Sequence, residues 1–139
     1  KLYKTAHAVF NNKYHLVWIP KYRKPVINKR IQDRLKQLFL GIAERYDFEI
    51  DTMEVEPDHV HLFVLIPPTI AVCEAVNLFK GISSRKIRQD FPEIDKVLWG
   101  ADFWAIGYFS TTVNDRTTSQ LIRNYIKSQK GRSKQLRLF

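Results

Sequence analysis

The chain is expected to form an α+β domain of the ferredoxin-like type, a split βαβ arrangement with element order βαββαβ. This gives an antiparallel sheet with helices on one face, plus an added C-terminal helix. Three observations predict it. Apolar residues alternate between period two and helical spacing in that order. Turn-forming residues fall between the segments. The 139 residues suit one hydrophobic core, and no internal repeat or Gly/Ser-rich linker divides them, so residues 1–139 are read as one domain with a basic tail from about 130.

Tyr14 to Ile19 is aromatic and β-branched and is closed by Pro20, which reads as the first strand, with His7 to Phe10 extending or preceding it. After Pro25, Asn28 can cap a helix whose apolar residues Ile31, Leu35, Leu38, Phe39, Ile42 and Tyr46 share one face. Phe48 to Val55 alternates apolar with acidic residues, Pro57-Asp58 makes a turn, and His59 to Ile66 returns as a second strand of a hairpin. Pro67-Pro68 stops that strand. Ile70 to Arg88 then has helical spacing through Val72, Val76, Phe79, Ile82 and Ile87 until Phe91-Pro92 ends it. Asp102 to Val113, rich in aromatic and β-branched residues, predicts the fourth strand. Asn114-Asp115 turns the chain, Thr117 and Gln120 have capping-box spacing, and Leu121, Ile122, Tyr125 and Ile126 mark the final helix.

A formal charge of +9 favours a polyanionic partner. The charge is unevenly spread. Glu44, Asp47, Glu49, Asp51, Glu54, Glu56 and Asp58 cluster, whereas Asp33 is the only acid between Lys21 and Lys36, and every charged side chain after Leu121 is basic. With Arg85, Lys86 and Arg88 added, nucleic acid is the expected partner over an acidic membrane surface. No stretch approaches the roughly 18 apolar residues of a membrane span. Cys73, the sole cysteine, is read as a packing residue, and its solitude favours a cytoplasmic setting.

His59-Val60-His61 is the sharpest motif. Residues i and i+2 of a strand share a face and stand roughly 6.6 Å apart along it, so two imidazoles can converge on one cation while Val60 anchors the opposite face in the core. Such a pair also occurs as exposed hairpin residues, and Asp58 beside it reads as turn-forming. His7 and His15 have no partner in sequence and read as structural or surface residues. Tyr125 and Gln129 are four apart on the final helix and project from the same side. Periodicity alone places Tyr125 in the core stripe, yet that stripe runs on into a polar residue and a basic tail.

The stretch Glu56-Pro-Asp-His-Val-His-Leu62 resembles the HUH segment (histidine, hydrophobic, histidine) of the single-tyrosine transposases of the insertion-sequence 200/605 class. Tyr14-His-Leu-Val-Trp-Ile-Pro-Lys-Tyr-Arg23 looks like that family's first strand and basic turn. Phe79-Lys-Gly-Ile-Ser-Ser-Arg85 is similar to its second-helix pattern, and Tyr125-Ile-Lys-Ser-Gln129 to its terminal Tyr-x-x-x-Gln. The resemblance implies a DNA transposase with Tyr125 as nucleophile and His59, His61 and Gln129 as ligands of Mg²⁺ or Mn²⁺. It implies single-stranded DNA with hairpin ends as substrate, cut and rejoined through a 5′-phosphotyrosine without a nucleotide cofactor. A homodimer is also implied, in which the tyrosine acts in trans. Arg23, Lys24, Arg85, Arg88, Lys127, Lys130 and Arg132 are then candidates for phosphate contacts, and Tyr22, Trp99, Phe103 and Trp104 for base stacking.

Two other readings compete. One is a relative of the same chemistry that processes chromosomal repeats. The other is a noncatalytic module, since RNA-recognition domains share the strand order, although their basic-Gly-aromatic sheet motif is lacking here. A zinc-water hydrolase is disfavoured because no third strong ligand or acidic base stands out.

Overall fold

In a computed structural model the described residues are 3–4, 9–10, 12–112 and 120–129. His7, Val113, Thr117, Lys130 and Arg132 lie outside them, so the expected capping box and two of the expected phosphate contacts do too.

Two short strands, β1 (Tyr3–Lys4) and β2 (Val9–Phe10), pair antiparallel. The central sheet is built from β3 (Lys13–Trp18), β4 (Glu49–Glu56), β5 (His59–Leu65) and β6 (Phe109–Thr112). Its spatial order is β4-β5-β3-β6, with every neighbour antiparallel. Helices α1 (Lys29–Arg45) and α2 (Val72–Asp90) follow β3 and β5. This is the expected split βαβ, with the first strand at the centre and the two βαβ halves interleaved.

Helix α1 starts where the sequence places it, because the Asn28 side chain accepts a hydrogen bond from the Ile31 amide at 3.0 Å. Its buried residues Ile31, Leu35, Phe39 and Ile42 recur at helical spacing, and Ala75, Val76, Phe79 and Ile87 do the same on α2. Both helices cover one sheet face, from which Leu16, Trp18, Val55, Val60, Leu62 and Val64 enter the core. Trp18, Phe39 and Phe79 meet there at ring separations of 5.7 to 6.1 Å. Aromatic side chains of this size bury roughly 150–250 Å² each, so this trio is a principal anchor of the helices on the sheet.

Strand β4 carries an irregularity that the sequence spacing already contains. Ile50 pairs with Val64 and Thr52 with Phe63, so Asp51 is the inserted residue of a bulge. The bulge shifts the alternation by one, which is why Ile50 and Met53, three apart, both face the core.

The predicted strand over Asp102 to Val113 is corrected at its start, which falls at Phe109, and is described as far as Thr112. Phe103 and Trp104 are both buried but belong to no strand ladder. Trp104 bridges Pro20 and its indole donates to Ser83 Oγ at 3.0 Å. The Lys80 ammonium then takes the Ala105 and Gly107 carbonyls at 2.7 and 3.0 Å, and Gly107 sits at a φ of 94°. Those carbonyls therefore point to a side chain and not to a neighbouring strand. A short helix, α3 (Ile94–Leu98), was not expected. It ends on Trp99 at a φ of 54° followed by Gly100 at 76°. Cys73 is exposed at the start of α2, which corrects its reading as a packing residue.

The closing helix, α4, spans 120–129. Among the described residues no helix is long and apolar enough to cross a membrane.

Candidate active site

Strand β5 presents Val60, Leu62 and Val64 to the core and turns His59, His61 and Phe63 to the face that α1 and α2 leave uncovered. Cross-strand partners share a face. Register therefore adds Glu54 and Glu56 from β4, opposite His61 and His59, and Val17 and His15 from β3, opposite His61 and Phe63. On the far side of β3, Phe109 and Thr111 of β6 pair with Val17 and His15.

Each imidazole of the pair has a carboxylate beside its Nδ1. Asp58 Oδ1 accepts from His59 Nδ1 at 2.9 Å, and Glu54 Oε2 lies 3.7 Å from His61 Nδ1. Because a carboxylate only accepts, the Nδ1 of His59 carries a proton, and in the neutral ring Nε2 then keeps the lone pair, the arrangement usual for metal-ligating histidines. Asp58 is in turn held by Arg23, whose Nε donates to Oδ2 at 3.0 Å. Partial burial pushes the Asp58 carboxyl up, but the His59 hydrogen bond and the Arg23 charge outweigh it and hold the group below its ordinary value. A turn at Lys21–Arg23 aims the guanidinium backwards, with Tyr22 and Arg23 at φ of 60° and 51°. Non-glycine residues reach that region at a cost of order 1 kcal/mol.

Burial pushes the His61 imidazole below its ordinary value, the Glu54 charge and hydrogen bond oppose it, and the neighbouring His59 adds to the lowering. The net effect disfavours the charged form of the His61 ring. Its Nε2 lies 2.8 Å from His15 Nδ1.

The tyrosine helix sits over the same face. The Tyr125 ring packs on Phe109 with centroids 5.6 Å apart. Phe109, Val17 and His61 lie in line across three strands. With strands about 4.8 Å apart, Phe109 is about 10 Å from the His61 row. Val17 has no exposed surface although it lies outside the helix-covered core, and Ile122 of α4 is buried too. Gln129, one turn after Tyr125, is also buried. Gln129 is therefore buried, whereas Tyr125 is partly exposed with its ring packed on Phe109.

Among the described residues, no three His, Cys, Asp or Glu side chains gather into a metal cluster. His59 and His61 offer two imidazole nitrogens on one sheet face, and Gln129 on α4 carries an amide oxygen; imidazole and amide are donors that Mg²⁺ or Mn²⁺ accepts with water, and that Zn²⁺, Ni²⁺ or Co²⁺ accepts as well.

The candidate phosphate contacts do not form one patch. Arg23 is engaged with Asp58, and the Lys24 ammonium donates to the Val97 carbonyl at 3.1 Å. Arg85 and Arg88 lie on α2, in the helical layer across the sheet from the histidines, and Arg88 pairs with Asp95. Lys127 is exposed on α4. Of the aromatics, Trp99 is 87% exposed and Tyr22 partly so, whereas Phe103 and Trp104 are buried and unavailable for stacking. Sequence reasoning read Asp58 as turn-forming and not as the partner of His59, and it did not connect Glu54 or His15 with the histidine pair. Only strand register could have revealed the last two.

The sequence profile of the family described as "Transposase IS200 like" matches residues 8–129. The chain is 39% identical over 121 residues to the ISDra2 transposase TnpA of Deinococcus radiodurans, covering 87% of this chain and 86% of that one. It is 31% identical over 124 residues to the transposase for insertion sequence element IS200 of Salmonella typhimurium, covering 89% and 80%. A crystallised candidate transposase from Deinococcus radiodurans R1 superposes with a TM-score of 0.84 at 34% identity, over 91% of this chain and 97% of that one. A REP-associated tyrosine transposase solved bound to a REP hairpin shares the fold, with a TM-score of 0.56 at 13% identity over 89% and 68%.

Proposed function

The chain belongs to the IS200-like transposases, and from that premise we propose that it cleaves and rejoins single-stranded DNA through a covalent 5′-phosphotyrosine on Tyr125. The observation that carries this reading is the placement of the Tyr125 helix, through Phe109, on the sheet face that also presents His59 and His61. A phenol and a pair of imidazoles brought to one face are what the chemistry needs.

His59 and His61, with the Gln129 amide, would hold Mg²⁺ or Mn²⁺. Such an ion, when bound, offsets charge on the non-bridging phosphate oxygens. Asp58 and Arg23 orient the His59 ring, so that its Nε2 is directed before substrate arrives. The Tyr125 oxygen attacks phosphorus and forms the new P–O bond. The bond to the 3′ oxygen breaks, the phenol proton is lost, and the leaving oxygen gains a proton as a 3′ hydroxyl. Another 3′ hydroxyl reverses the step and rejoins the strand with no nucleotide cofactor. The substrate in this reading is single-stranded DNA with hairpin ends, contacted by Lys127 and the basic tail that includes Lys130 and Arg132. The working form in this reading is a homodimer in which the tyrosine helices exchange, each taking on the partner the place that α4 takes here, so that the tyrosine of one chain serves the histidines of the other.

The test is incubation of labelled single- and double-stranded oligonucleotides from the flanks of the gene with Mg²⁺ or EDTA. Cleavage confined to single strands, dependent on metal and leaving protein on the 5′ side, is expected. Tyr125→Phe keeps a ring against Phe109 but has no hydroxyl, so it should bind hairpins and form no adduct. An adduct that survives on denaturing gels of that variant rejects Tyr125 as nucleophile.

A further inference from the structure

The chain from Trp104 to Phe109 does not follow β3 and its extension to Pro20 residue for residue. Phe109 pairs with Val17, and Trp104 bridges Pro20. Four residues, Ala105 to Tyr108, therefore lie opposite two, Trp18 and Ile19. The surplus forms a bulge. Its near end is anchored, since the Ala105 amide donates to the Ile19 carbonyl at 2.9 Å and the Trp104 indole to Ser83 Oγ at 3.0 Å. The bulge turns on Gly107, at a φ of 94° that side chains rarely adopt. Its Ala105 and Gly107 carbonyls both accept from the Lys80 ammonium, at 2.7 and 3.0 Å.

Hydrophobic patterning alone does not choose this register. Paired without a bulge from the Trp104–Pro20 bridge onward, the segment would set Ile106 opposite Trp18, Tyr108 opposite Leu16 and Phe109 opposite His15. A slip of two residues leaves every side chain on its own face. It would also carry Ile106, which is 88% exposed, to the core face beside the buried Trp18. The two hydrogen bonds to Lys80 oppose that slip. Burial pushes the Lys80 ammonium below its ordinary value, so an apolar side chain would occupy the place at less cost were there no carbonyls to hold.

We infer that Lys80 is a positioning residue: by holding the bulge it fixes the register of β6 on β3, and with it the place of Phe109, the ring on which Tyr125 packs. Without the clamp Phe109 moves from Val17 to His15, about 7 Å along the strand, and leaves the row that runs through Val17 to His61. The register part of this inference stands alone, and its consequence for the reaction rests on the reading of Tyr125 as nucleophile. A misplacement of about 1 Å at a reacting group can cost about 100-fold in rate.

Lys80→Met keeps the length of the side chain and removes its donors. Because β6 is an edge strand, the rest of the sheet still folds in that variant. Lys80→Arg keeps donors, and the cavity of about 310 Å³ that Lys80, Ser84 and Ile106 line gives the longer side chain room. Cross-strand nuclear Overhauser contacts should join Phe109 to Val17 in the parent and in Lys80→Arg, and Phe109 to His15 in Lys80→Met. At saturating single-stranded hairpin oligonucleotide, formation of the covalent adduct should slow about tenfold or more in Lys80→Met, with affinity for that DNA within about threefold of the parent's, and Lys80→Arg should stay within about threefold on both. Ile106→Ser removes the apolar gain of the slip. It should be silent in the parent, yet return the Val17 contact and most of the rate when added to Lys80→Met, a rescue that a general loss of stability would not show. Phe109 opposite His15 in the parent, Phe109 still opposite Val17 in Lys80→Met, a smaller slowing in that variant, or no rescue by Ile106→Ser overturns the inference. Tyr125→Phe separates the two layers. If it retains the adduct, the nucleophile reading fails, and the contacts of Phe109 still uphold or overturn the role of Lys80.

Discussion

Asp58→Asn tests whether the Arg23–Asp58–His59 chain sets the site. The carboxylate accepts from Arg23 on Oδ2 and from His59 on Oδ1. An isosteric amide has one oxygen and one NH₂, so it can satisfy one donor only and must turn its own N–H groups on the other. Hydrogen bonds to charged groups are worth about 1.5–3 kcal/mol. Asp58 keeps part of its surface in water, which lowers the expected loss of unfolding free energy to about 1–2 kcal/mol at pH 7. The pH dependence has a definite sign. The carboxyl is depressed below its ordinary value of 3.8 in the folded chain. Its stabilisation is therefore complete above about pH 4 and is lost as pH falls through the lower folded value. Urea unfolding of parent and variant should differ at pH 7 and converge in acid. Mn²⁺ affinity of the variant should fall by about tenfold or more, because His59 loses its fixed tautomer. A variant as stable as the parent at pH 7, or a gap that persists undiminished at about pH 2, refutes the electrostatic argument; undiminished Mn²⁺ binding refutes the orienting one.

Three further outcomes are expected. Phe79→Ala removes the ring that meets Trp18, Phe39 and Phe48 and should cost about 3–5 kcal/mol in urea unfolding; a loss under about 1 kcal/mol means the cluster collapses around the gap. Substitutions on alternate residues of β5 should separate folding from chemistry. His59→Ala should leave stability within about 1 kcal/mol of the parent while abolishing metal-dependent cleavage, and Val60→Ala should destabilise by about 1–3 kcal/mol. Equal destabilisation by the two would contradict the division of faces. Mixing Tyr125→Phe with His59→Ala should restore cleavage that neither shows alone, since a dimer acting in trans contains one site with both groups intact; a mixture as inactive as its components places the tyrosine in cis.

What the sequence displayed, and what it hid, follows the range of the interactions involved. Helix α1, its Asn28 cap, the β4–β5 hairpin and α2 are specified by neighbours a few residues away, so periodicity and turn chemistry reveal them. Even the bulge at Asp51 is written as a three-residue step between Ile50 and Met53. The segment after Asp102 reads as a strand because its composition is right for one. Its backbone is instead committed to Lys80, and its aromatics fill the core side by side. Helix α3 has only five residues between Pro92 and Gly100, too few for a periodic signal.

The same distinction runs through the site. The His59–His61 pair is legible because a strand's pleat alone puts residues i and i+2 on one face. Its partners are not, because each depends on a long-range choice of register or turn: His15 on the pairing of Val17 with His61, Arg23 on the left-handed turn at Tyr22, Tyr125 on the seating of α4 against Phe109. Those choices are made by the apolar residues on the other face, where Leu16, Trp18, Val60 and Leu62 can be buried in one register only, since a slip of one residue would turn the core outward and the histidines inward. The core thus supplies more than stability. By fixing register it decides which polar side chains meet on the open face, so two imidazoles from β5 acquire a third from β3 and a carboxylate from β4 without any local sequence signal for the meeting.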